Sequence, residues 1–163
     1  MRMFSTLAAL VLLTACTDPV DPAELTGVCV SGDHWTNGDR ESPLMHPGGD
    51  CIDCHSERGE GPSFAFAGTV YTDYDEEYDC NGVEGAEVEV TDAEGSTWTM
   101  TTNAAGNFFT YSRDADPVMP ITAVVRVGDA EHAMNTPQND GDCASCHTAA
   151  GSGGAPGRVV VPQ

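Results

Sequence analysis

From Phe64 to Val127 the chain alternates apolar and polar residues with a period of two, and that pattern restricts it to strands. The clearest case is Ala86-Glu87-Val88-Glu89-Val90-Thr91, where Ala86, Val88 and Val90 share one face and the acids share the other. Further strands are predicted from Phe64 to Thr72, Ser96 to Thr102, Asn107 to Ser112 and Ile121 to Val127. Asp92-Ala93-Glu94-Gly95 and Asn103 to Gly106 read as turns. Short turns between strands that each have one apolar face predict a mainly β chain folded as a small antiparallel β-sandwich.

The same arrangement lies on either side of that region, as Cys51-Ile52-Asp53-Cys54-His55 and as Cys143-Ala144-Ser145-Cys146-His147. In CxxCH, two thiols three positions apart can add to the vinyl groups of one haem, and the histidine that follows can ligate the iron. On this reading Cys51, Cys54, Cys143 and Cys146 bind two haem c groups covalently, with His55 and His147 as proximal ligands. Two other chemistries use CxxC: a redox disulfide, and a zinc ion held by all four thiolates. Residues 55–142 separate the pairs, far more than the spacer of about 15–20 residues usual in a zinc knuckle, and no βαβ pattern surrounds either motif.

The N-terminus reads Met1-Arg2-Met3, then an apolar run from Phe4 to Leu13 too short to span a bilayer. It is read as a signal peptide. Leu13-Thr14-Ala15-Cys16 resembles a bacterial lipoprotein signal, which implies cleavage before Cys16, acylation of that cysteine and attachment to a membrane. Thr17 in place of an aspartate implies the outer membrane. A plain secretory cut that leaves Cys16 unmodified is the alternative. Of the seven cysteines, Cys29 and Cys80 then remain, and an oxidising compartment favours a disulfide between them. The organisation is thus a signal peptide at 1–15, an acidic tether at 16–28, a haem-binding segment at 29–63, a β-sandwich at 64–128 and a second haem-binding segment at 129–163. The formal charge is -20 and the sequence has no lysine, which excludes nucleic acid as a partner. A redox partner protein or terminal electron acceptor is expected instead, and a basic one would be steered in by the acidic surface.

Gly68-Thr69-Val70-Tyr71, the run from Gly82 to Val90 and Thr101-Thr102-Asn103-Ala104-Ala105-Gly106-Asn107-Phe108 resemble carboxypeptidase regulatory-like domains, transthyretin-type sandwiches that act as scaffolds. The departure is the acidic insert at residues 73–79, a solvated loop or a cluster of carboxylates for calcium. The whole chain resembles bacterial lipoproteins in which such a module sits between two haem motifs. The resemblance rests on Trp35, Gly38, Met45 with Pro47-Gly48, Met134, His147-Thr148 and Gly154-Ala155-Pro156-Gly157-Arg158.

The sixth iron ligand would decide the chemistry, since a second protein ligand suits electron transfer and an empty position suits peroxide or gas binding. Met45 and Met134 are the distal candidates that match the resembled pattern. His46 and His132 are the alternatives, followed by His34, and Arg158 is a candidate partner for a propionate. The expected function is electron transfer in the cell envelope by a membrane-anchored dihaem cytochrome. Its alternatives are a dihaem peroxidase or gas sensor, and a surface adhesion module stapled by haem. No residues for a separate catalytic activity accompany the motifs.

Overall fold

A computed structural model describes residues 29, 42–57, 59 and 61–163. The expected signal peptide, the lipidation site at Cys16, the tether, His34, Trp35 and Gly38 lie outside the described residues. Among the described residues, no helix is long and apolar enough to cross a membrane.

Among the described residues, seven strands form two sheets. β1 (Phe64–Tyr71), β4 (Asn107–Tyr111) and β7 (Val159–Val160) make one, in the order β4-β1-β7. β2 (Glu87–Thr91), β3 (Thr97–Thr101), β5 (Thr122–Val127) and β6 (Ala130–Ala133) make the other, in the order β3-β2-β5-β6. Every pairing is antiparallel except β1 with β7. The chain is therefore mainly β, in the two-layer form expected from the alternation, and all five expected strands are present. The sequence pattern gave no sign of β6 or β7, both of which come from beyond residue 128.

The core lies between the sheets. Val88 and Val90 on β2, Met100 on β3 and Val125 on β5 meet Phe66 and Val70 on β1 and Phe108 on β4. Each such side chain taken from water contributes roughly 1.5–3 kcal/mol. β2 keeps its acids outward, as the alternation predicts. β1 behaves differently, being buried on both faces from Phe66 to Tyr71. Its inner face supplies Phe66 and Val70, while Ala67, Thr69 and Tyr71 on the other face are covered by segments from outside the sandwich. Cys29 and Cys80 form the expected disulfide, with Cα atoms 5.8 Å apart and Met45 packed against it.

Candidate functional site

Both CxxCH segments are fastened to β1. On its outer face the Gly48 N–H donates to Thr69 Oγ1 (2.8 Å), and the Thr69 hydroxyl donates to Asn107 Oδ1 (2.7 Å). The amide of Asn107 in turn donates to the carbonyls of Met45 (2.7 Å) and Pro43 (3.3 Å). A buried Thr–Asn pair thus satisfies its own polar groups by holding residues 43–48, and the turn at Gly48 (φ +79°) aims the chain at Cys51. The second segment joins the strand edge directly. The Ala67 N–H donates to Gly141 O (3.2 Å), and Ala67 bridges Asp142 in parallel. Two glycines permit this approach, for a Cβ on Gly141 would collide with the Ala65 carbonyl, and one on Gly68 would lie 2.9 Å from Cys143 Cβ and 2.8 Å from Phe108 Cζ.

Each motif begins on an aspartate, and both aspartates act as caps. Asp142 is the N-cap of α1 (Cys143–Cys146), where it accepts from the Ala144 N–H at 3.1 Å. Asp50 accepts from the Asp53 N–H (2.9 Å) at the start of a π-helical turn, Asp53–Glu57. The Asp50 side chain lies close enough to Asp142 to interact with it. Burial first, then the side chain and charge of Asp50, push Asp142 up to about 7. The two motifs, distant in sequence, are joined here. The signal for this pair in the sequence is the repeated Asp-Cys-x-x-Cys-His, which places an aspartate before each motif.

Cys51, Cys54, Cys143 and Cys146 are half-buried and take no part in the Cys29–Cys80 disulfide. Burial pushes Cys51 up to about 12, with Asp142 and Asp50 adding to the shift. Cys143 also rises to about 12, through burial, then Asp142, then Cys51. The first cysteines of the two motifs therefore lie within electrostatic reach of each other. Cys143 packs against the sandwich core and keeps its partial exposure where it lines a cavity.

The histidines are held alike. His55 Nδ1 lies 3.2 Å from Pro62 O and His147 Nδ1 lies 2.9 Å from Gly157 O. A carbonyl only accepts, so each Nδ1 carries the proton and each Nε2 presents a lone pair. The His55 ring also packs on Phe64, with centroids 4.7 Å apart.

The expectation of two haem c groups is corrected. Among the described residues, no group of three or more His, Cys, Asp or Glu side chains could hold a metal ion. The arrangement of the supposed ligands agrees with that. Met45 is packed on the Cys29–Cys80 disulfide, and His132 is engaged through Nε2 with the Tyr74 hydroxyl (3.1 Å). The sulfurs of Cys51 and Cys143 are drawn into the junction between the segments, and Phe64 covers His55. Met134 lines the cavity beside His147, and His46 sits at the turn before Cys51 with φ +45°. The zinc alternative fails on the same finding, and the acidic loop at 73–79 gathers no calcium-binding set. Arg158 is buried: its Nε–H donates to Glu76 O (3.0 Å), and its guanidinium lies 4.2 Å over the Tyr71 ring.

The cavity is the remaining element of the site. It measures about 230 Å³ and opens between the sheets beside the second motif. Val88, Val125 and Phe108 form its apolar floor, while His132, Met134, Cys143, Cys146 and His147 stand around it. No family model, curated protein or solved structure matches the chain, so the site is read from its own residues.

Proposed function

We propose that the chain is an electron-transfer protein of the cell envelope whose redox groups are its two CxxC thiol pairs. One observation carries this reading: two distant CxxC segments are fastened to a single strand, β1, with Asp50 beside Asp142 and the first cysteines of the two motifs within electrostatic reach of each other. Each pair can form one S–S bond, releasing two electrons and two protons to a partner that is reduced in exchange. Position in the motif divides the labour. Cys51 and Cys143, pushed up to about 12, stay protonated at neutral pH, so the second cysteine of each pair, Cys54 or Cys146, begins exchange with a partner. The first cysteine of the pair then closes the disulfide. An exported chain held at a membrane by lipid on Cys16 would encounter such partners in an oxidising compartment, and its acidity would favour a basic one.

Glutathione redox titration of the mature protein, with thiol trapping and mass mapping, tests the reading. Two reversible couples are expected, Cys51–Cys54 and Cys143–Cys146, and Cys146→Ser should abolish only the second. Sulfurs that stay unreactive after full reduction, or that never pair within a motif, would overturn it.

A further inference from the structure

The repeat is longer than CxxCH. It reads Gly-Asp-Cys-x-x-Cys-His in both places, from Gly49 and from Gly141. In each copy the first sulfur turns back on the glycine two residues before it, Cys51 Sγ donating to Gly49 O (3.5 Å) and Cys143 Sγ to Gly141 O (3.8 Å). The first cysteines thus have the same local form. Both are carried to one short stretch of β1. Gly48, three residues before Cys51, is bonded to Thr69, and the preceding strand residue, Gly68, has Cys143 against it, since a Cβ there would lie 2.9 Å from Cys143 Cβ. Asp50 and Asp142, each immediately before its cysteine, interact with each other. A disulfide needs Cα atoms about 4.4–6.8 Å apart, and segments that meet residue for residue are the arrangement that can supply this. The second cysteine of each motif serves the outside partner; the first faces the other motif.

We infer that Cys51 and Cys143 form a disulfide with each other, and that this bond relays electrons between the two CxxC pairs. The inference rests on the thiol reading of the site and names, for each pair, the other as its internal partner. With Cys51–Cys54 oxidised and the second pair reduced, Cys143 Sγ attacks Cys51 Sγ. The Cys51–Cys54 bond breaks, the Cys51–Cys143 bond forms, and the proton lost by Cys143 goes to the departing Cys54 sulfur. Cys146 then attacks Cys143 Sγ, which closes Cys143–Cys146 and releases Cys51 with the Cys146 proton. Two electrons and two protons have moved from the second pair to the first, and no outside oxidant or reductant is consumed. The reverse order runs the transfer the other way.

The test applies oxidised glutathione to the dilute mature protein, with alkylation trapping and mass mapping. In the double variant Cys54→Ser/Cys146→Ser, only the two first cysteines remain in the motifs. A Cys51–Cys143 bond within one chain should then outnumber glutathione adducts on those sulfurs at least about tenfold, because the closure is intramolecular. Wild-type protein quenched at partial oxidation supplies a second reading that does not depend on how the variant folds. The same cross-link should appear there and give way to Cys51–Cys54 and Cys143–Cys146 at full oxidation. Wild-type pairs that cycle with glutathione without ever showing the cross-link, beside a variant that acquires only glutathione, would overturn the inference and leave the thiol reading standing. Wild-type pairs that fail to cycle with glutathione would overturn both.

Discussion

The two CxxCH segments share a local sequence and have opposite surroundings. The first lies on the outer face of β1 and is held by Thr69 of that strand, by Asn107 of β4 and by packing on the disulfide. The second is woven into the strand edge through Gly141 and Asp142, packs Cys143 on the core and borders a cavity. What differs is the supporting structure, and with it the partner each pair can meet. A thiol pair on an outer face suits exchange with a protein, whereas one set against the core suits exchange within the chain.

The largest effect that separates the two segments should come from Phe108→Ala. Phe108 is 2% exposed, fills the core beneath the second motif and has only Gly68 between it and Cys143. Urea unfolding should show a loss of about 3–5 kcal/mol, with Cys143 becoming the more readily alkylated of the two first cysteines. A loss below about 1 kcal/mol would mean that the cavity floor does not support the second segment.

Asn107→Ala should act on the other segment. It removes the donor to the Met45 and Pro43 carbonyls and the acceptor for the Thr69 hydroxyl, at a cost of about 1–3 kcal/mol. Hydrogen exchange should accelerate across residues 43–51 and hardly change across 141–147. Equal acceleration in both would show that Asn107 does not anchor the first segment in particular.

A smaller effect concerns the carboxyl pair that links them. The folded pKa of Asp142 is about 7 against an ordinary 3.8, so the folded state binds the proton more tightly. Its stabilising contribution is full below the ordinary value and is lost as pH rises through about 7. Asp50 and Asp140 face the group, and both are acidic, so nothing nearby compensates the second negative charge. The protein should unfold at lower urea near pH 8 than near pH 5, and Asp142→Asn should reduce that difference. An unchanged difference in the variant would show that Asp142 is not the source of the pH dependence.

Much of this architecture was legible. The alternation in Ala86 to Thr91 is a direct record of a strand with one wet face, and it placed Val88 and Val90 in the core. Cysteine bookkeeping found the Cys29–Cys80 pair. The two missed strands follow a different logic, since Val159–Val160 is too short for a period to register and pairs in parallel with a strand far back in the sequence. β6, Ala130–Ala133, carries Ala, Glu, His and Ala, without the apolar face that signals burial. The site was legible in its residues and not in its arrangement. CxxCH states which atoms are present, but neither the enclosure of Cys51 and Cys143 nor the engagement of Met45 and His132 can be read from spacing. Asp50 and Asp142 were visible as neighbours of the motifs, and only the fold shows that they meet.

The central claim is that the two thiol pairs form one unit at the edge of β1. The most direct measurement is the reduction potential of Cys143–Cys146, taken first with Cys51 and Cys54 intact and then with both replaced by serine. Adjacent pairs should influence each other, and a shift on the order of 10 mV or more is expected. Identical potentials in the two proteins would contradict the account.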